Sequence, residues 1–281
     1  MSNLEATTAL LAQAEESGGF MGTYFLLILP IIILSAVVCL HPIGKRELQA
    51  YFLTPIAYVS ITMFVLLTMV ITFFIMNFFE RGEANLEAFF RFQPFVWGIV
   101  GPALGMRLWA EENRLGTIEL IGTMPSATWV VTVYKYLASL IVVAVALVLT
   151  FPIVATVEDL GSPDHGVIAA GYIASFLMGA ATLAITMAVS AFTRNQVICL
   201  LVSVVICFFL VIGGLPQVVG WLDDSSGFVA SMLKWWPNAS LFYHYESMIT
   251  GLIFLRNILY FVIIVAACLA VTSAALRSKR A

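Results

Sequence analysis

The sequence predicts an all-α fold, a polytopic membrane helix bundle of six core transmembrane helices plus one additional N-terminal helix. Composition is the first reason: 62% of the 281 residues are hydrophobic, only 10% are charged, and the mean hydropathy is +1.02. Soluble domains are about half apolar and about a quarter charged. Run length is the second, because several charge-free stretches reach the roughly 20 residues that cross a hydrocarbon core of about 30 Å. The third is continuity. Backbone groups in lipid must be paired within helices or a closed barrel, and these runs do not alternate as barrel strands do.

Taken in order, residues 1–42 form one unit: an acidic N-terminus carrying Glu5, Glu15 and Glu16 with no basic residue, then an apolar helix from Gly22 to Leu40 around Pro30. A secretory signal would need a positive start, which is missing; Met21 is an alternative first residue. Residues 43–281 form the second unit, with an elbow helix at 43–54 and core helices at about 55–79, 93–110, 130–157, 166–193, 196–220 and 253–276. The second core helix is short, and it runs on to Ala110 if the Arg107 guanidinium bends toward the headgroups.

Orientation follows from the distribution of basic residues. One face receives Lys45, Arg46, Arg107, Arg114, Lys135, Arg194, Arg277, Lys279 and Arg280, whereas the other keeps Arg81, Arg91, Lys234 and Arg256. The richer face is expected to be cytoplasmic, which puts the C-terminus inside and the N-terminus in the periplasm. The external stretch from Trp221 to Gly251 is crowded with aromatic residues, including Trp235, Trp236, Tyr243 and Tyr245. Such a density suits the headgroup layer and predicts short interfacial or re-entrant helices.

Several function classes are disfavoured by what is missing. No acidic or basic residue is read deep within a span, whereas ion-coupled carriers need such groups. There is no G-x-x-x-x-G-K-[ST] phosphate cradle, so energy for transport must come from another chain. No H-E-x-x-H or G-x-S-x-G motif occurs, and His41, His165 and His244 are scattered, so no catalytic residues, metal ligands or cofactor are assigned and the chain is not read as an enzyme. Glu111 and Glu112 are read as solvated helix surface rather than as an acid/base pair. Cys39, Cys199, Cys207 and Cys268 lie in apolar runs without disulfide or zinc spacing. Small residues, as in Gly101-x-x-x-Gly105 and the run from Gly171 to Ala181, supply close helix packing. Gly213, Gly214 and Pro216 are positioned to break the fifth core helix.

Two stretches carry a positive signal. From Ile43 to Tyr58 a short amphipathic segment with Lys45, Arg46, Glu47 and Tyr51 meets a long apolar helix at Thr54-Pro55. Pro55 suits a first helical turn, where its missing amide is not needed. The segment reads as an elbow helix in the headgroup layer. From Met106 to Ser126, Arg107, Glu111, Glu112, Arg114, Gly116, Thr117 and Glu119 are interleaved with Leu115, Ile118, Leu120 and Ile121. A loop with no partner would be more polar, so this one reads as a docking surface for a soluble protein, with packing onto its own neighbouring helices as the alternative.

At these two stretches the chain resembles the permease subunits of the ABC type-2 exporter family, in particular the gliding-motility-type branch. Their K-R-E-L-x-x-Y-F-x-x-P-I-A-Y-V elbow is matched from Lys45 to Val59. Their M-R-x-x-A-E-E-x-x-x-G-T-x-E-L-L-x-T-x-P segment is matched by Met106, Arg107, Ala110, Glu111, Glu112, Gly116, Thr117, Glu119, Leu120, Thr123 and Pro125. The resemblance implies a permease of the bacterial inner membrane, a second permease subunit (an identical copy or a paralogue), surrounding lipid, and a cytoplasmic ABC ATPase that binds ATP and Mg. It implies no nucleic acid, and it makes Arg107 to Glu119 the ATPase-coupling loop. Residues 1–42 depart from the pattern, since the family's elbow lies near the N-terminus. A non-transporting membrane scaffold or assembly factor, holding a partner on the aromatic stretch, is the alternative.

Overall fold

The computed structural model describes residues 32–76, 78, 86–117, 127–161, 163–224 and 235–279, and among these every regular element is helical. The expected N-terminal helix lies largely outside the described residues. Its last part, 32–40, is helical and packs Val38 against Ala138 and Ile141. Four helical stretches are long and apolar enough to cross a membrane: Pro55–Ile75, Thr128–Leu160, His165–Phe192 and Leu255–Ser278.

The elbow is α1 (Pro42–Leu53), started by the His41 side chain, whose Nδ1 accepts from the Ile43 amide. It stops at Thr54, which is extended at φ −101° and ψ 145°. A residue before proline is pushed out of the helical region, so the Thr54-Pro55 step forces the chain to turn. Pro55 then opens α2 (Pro55–Val70), which ends in a π-helical turn at Ile71–Ile75. After α3 (Glu87–Arg91), α4 (Gln93–Gly105) contains Pro102 and stops at Gly105. The helix expected to reach residue 110 is thereby interrupted. Residues 106–109 make turns, and α5 (Ala110–Leu115) starts afresh.

The third core helix begins slightly earlier than expected and is broken: α6 (Thr128–Val148) and α7 (Pro152–Leu160) are joined through a turn at 149–151. The uninterrupted α8 (His165–Phe192) is capped by Asp164, whose carboxylate accepts from the Gly166 amide at 2.8 Å. The fifth core helix is split where its glycines predict, with α9 (Gln196–Ile212) followed by α10 (Pro216–Asp224). Within the aromatic stretch lie a 3-10 turn at Pro237–Ala239 and α11 (Leu241–Ile249), started by the Ser240 hydroxyl. The last helix is α12 (Leu255–Ser278).

α8 is the axis of the bundle: 78% of its most apolar window is buried, against 17% for α12. Its small residues cause this, because they let neighbouring backbones approach. A Cβ added to Gly101 or Gly105 of α4 would meet Thr182 or Thr186 of α8 at under 3 Å, and one on Gly179 would meet Val143 of α6 at 2.8 Å. The Gly101-x-x-x-Gly105 face is therefore the seam between α4 and α8. Apolar side chains on the outer faces of α2, α9 and α12, such as Leu66, Val205 and Ile263, remain exposed, as suits helices bordered by lipid.

Candidate functional site

The two stretches singled out in the sequence meet in space, and a residue outside both joins them. Lys135 lies two turns into α6, in the apolar run Trp129 to Leu140, with its side chain only 5% exposed. Its Nζ donates to Glu47 Oε2 of α1 at 2.8 Å and lies 2.9 Å from Glu112 Oε1 of α5. The ammonium also stands 5.3 Å from the centre of the Trp109 ring. A charge is therefore held near the start of an apolar helix, just before the charge-free run from Tyr136 onward. It is tolerated because an intramembrane or membrane-edge charge persists where a partner neutralises it.

Glu112 is consequently not solvated helix surface. Burial raises its carboxyl above the usual carboxylate range, and Lys135, which Glu47 shares, only partly offsets that. Its Oε2 is shielded and has no hydrogen-bond partner. Glu111 turns back onto Arg107, 2.7 Å away and four residues earlier. Arg46 reaches Glu47 Oε1 at 3.2 Å from a side chain that is 61% exposed, and Lys45 points outward. Tyr51 donates a long hydrogen bond, 3.4 Å, to the Leu104 carbonyl, and burial pushes its phenol upward.

α5 has only six residues, yet three consecutive side chains reach three different neighbours. Successive residues on a helix point about 100° apart, so Glu111, Glu112 and Asn113 sweep across one side of it. Asn113 Nδ2 lies 3.1–3.3 Å from the carbonyls of Ser190, Ala191 and Thr193, and Lys279 donates to Asn113 Oδ1 at 2.8 Å. The remaining side, Arg114 and Leu115, is exposed, and Gly116 ends the helix in the left-handed region at φ 73°. That conformation favours glycine and makes a compact helix stop. Between α1 and α5 lies a cavity of about 380 Å³, bordered by Arg46, Tyr51, Arg107 and Leu115.

Of the residues expected to act at this site, Arg46, Glu47, Tyr51, Arg107, Glu111 and Glu112 come together, Lys45, Arg114 and Gly116 are exposed, and Pro55 and Thr117 do not border the cavity. Glu119 lies outside the described residues. Lys135 and Asn113 were not singled out as site residues. Lys135 had a signal, since a lysine in an apolar run needs a counter-charge. Asn113, set between Glu112 and Arg114, had none.

The opposite end of the bundle is held differently. The Tyr245 hydroxyl donates to the Phe90 carbonyl at 2.8 Å and lies 3.1 Å from Ser175 Oγ of α8. His244 stacks on Tyr260 of α12 with ring centres 3.9 Å apart, and its Nδ1 and Nε2 lie 2.9 Å from Asn257 Oδ1 and 3.1 Å from the Asn238 carbonyl. Among the described residues no group of three or more His, Cys, Asp or Glu side chains is arranged to hold a metal. No protein-family model matches the chain, and no curated protein is detectably similar to it.

Proposed function

We propose that this chain is the membrane-spanning permease subunit of an ATP-binding cassette transporter, an exporter driven by a separate cytoplasmic ATPase. In this reading six core helices, some of them broken, span the bacterial inner membrane. The Lys135 end faces the cytoplasm, and a second permease subunit, identical or paralogous, completes the path. The observation that carries it is α5, a six-residue helix presenting Arg114 and Leu115 outward while its other side is tied to the elbow and to α6 through Lys135. A short helix so connected passes a push at its exposed end to several long helices at once. The excess of basic residues at that end supports the orientation, and the lack of a phosphate-binding motif supports a separate energy source.

Glu111 and Glu112 act inward in this reading, so the docking contact belongs to Arg114, Leu115 and the segment after them. The test is co-purification with the ATP-binding cassette ATPase encoded beside this chain. Wild type is expected to retain and stimulate the ATPase, and the pair Arg114→Glu with Leu115→Glu to lose it while still purifying as a folded protein. Full retention by that variant counts against the docking role. The scaffold reading keeps one supporting observation, the exposed Trp221 and Trp235 at the aromatic end, and gains ground if no such ATPase binds.

A further inference from the structure

We infer that Asn113 and Lys279 are positioning residues that seat α5 on the end of α8, so that Lys279, at the end of α12, limits how far α5 travels. The inference rests on α5 being the segment that the ATPase moves.

The need for these residues originates in α8. A helix leaves its last carbonyls without partners, and a left-handed glycine or asparagine commonly satisfies them locally. α8 has no such stop. Its C-cap, Thr193, is extended at φ −106° and ψ 152°, and residues 193–195 lead directly into α9. The Thr193 hydroxyl makes a long bond of 3.4 Å to the Val189 carbonyl, and the donors for the carbonyls of Ser190, Ala191 and Thr193 come from elsewhere in the chain. The two N–H groups of Asn113 are shared among the carbonyls of Ser190, Ala191 and Thr193. Lys279 Nζ donates to the Ala191 carbonyl at 2.7 Å and, at 2.8 Å, to the Asn113 oxygen. A cation is favoured at this place because the carbonyl end of a helix carries partial negative charge.

Asn113 thus uses both ends of its amide, its nitrogen on α8 and its oxygen on Lys279. Besides its packing through the buried Ala110, α5 has two separate polar attachments to other helices, Glu112 to Lys135 on one side and Asn113 to α8 and Lys279 on the other. Loss of the second leaves the first intact, and α5 then keeps one polar link and pulls α8 less firmly with it. Lys279 is exposed and lies beyond the end of α12, so its removal disturbs no packing in the bundle.

Hydrogen exchange of the protein in lipid nanodiscs tests the link without any ATPase. In Lys279→Ala, amides of residues 110–117 are expected to exchange about tenfold faster, the scale of losing a charge-assisted hydrogen bond. Amides in the middle of α8 should be unchanged, and Lys279→Arg should restore protection. With the cognate ATPase present, Lys279→Ala is expected to retain it but to stimulate hydrolysis about threefold less, and Lys279→Arg to recover the stimulation. Wild-type exchange rates at 110–117 in Lys279→Ala overturn the inference, as does a fall in stimulation that arginine does not rescue. Failure of wild type to bind the ATPase at all counts instead against the function proposed above, and the exchange result still decides whether the link exists. Asn113→Ala, which removes both contacts, should match or exceed Lys279→Ala.

Discussion

The two ends of this bundle are fastened by different chemistry, although the same central helix runs between them. Near Ala191 of α8, neighbouring elements meet through Lys135, Glu47, Glu112, Asn113 and Lys279. Near Ser175, about 24 Å away along the helix axis, they meet through the hydroxyls of Tyr245 and Ser175 and through the stacking of His244 on Tyr260. Charged links depend strongly on protonation and on the exact placement of a partner, whereas neutral hydrogen bonds inside a packed aromatic cluster depend mainly on shape. In the proposed function, the movable joint belongs to the first end and the fixed anchor to the second.

The largest way to break this contrast is Lys135→Met. It removes the cation that Glu47 and Glu112 share and leaves only the largely exposed Arg46 beside Glu47, and breaking a buried ion pair costs about 3–5 kcal/mol. Thermal unfolding in detergent should show the loss. Adding Glu47→Gln and Glu112→Gln to Lys135→Met should recover a large part of it, because the penalty lies in the stranded carboxylates and not in the missing lysine. A triple variant no better than Lys135→Met alone would mean that the charges themselves hold the three helices together.

At the other end the expected effect is smaller. Tyr245→Phe keeps the ring and removes one hydroxyl, leaving the Phe90 carbonyl and the Ser175 hydroxyl without that partner. The loss should be about 1–3 kcal/mol and the same from mildly acidic to neutral pH, because the hydroxyl stays protonated throughout that range. A clear pH dependence in the Tyr245→Phe difference would make this end electrostatic too, and the contrast would fail.

How far each end was legible from the sequence follows the same division. Helical class, the elbow turn at Thr54-Pro55 and the break at Gly213-Gly214-Pro216 are dictated by local chemistry: apolar run length, the steric effect of proline on its predecessor, and glycine beside proline. The end of α4 at Gly105 was less visible. The tight α4–α8 seam needs Gly101 and Gly105, but no local signal says that the residues following them turn before α5 begins. The charged joint was half legible. Glu47, Glu111 and Glu112 stood out because they interrupt apolar sequence, yet their positions in the chain could not say which of them faces inward. That is decided by Lys135, 88 residues from Glu47, and a pairing across such a separation is a property of the packed bundle alone. The carbonyl-capping role of Asn113 was illegible for the same reason, since it depends on where α8 ends in space.

The finest test of the joint is its response to pH. Burial raises the Glu112 carboxyl in the folded state, whereas in the unfolded chain it titrates in the ordinary range, near about 4.3. Between those two values the folded protein binds more protons than the unfolded one. Linkage then requires stability to fall as pH rises through the window, by at most about 1.4 kcal/mol per pH unit for a single group, and to level off above it. The measurement is the unfolding midpoint of wild type against Glu112→Gln over the mildly acidic range. The difference between the two curves should carry that downward slope, since glutamine cannot titrate, and in the Lys135→Met background the slope should extend to higher pH, because losing the lysine raises the carboxyl further. An opposite slope, with wild type gaining stability as pH rises, would mean that Lys135 outweighs burial at Glu112. The joint would then be a locked ion pair at every pH in which the protein is folded.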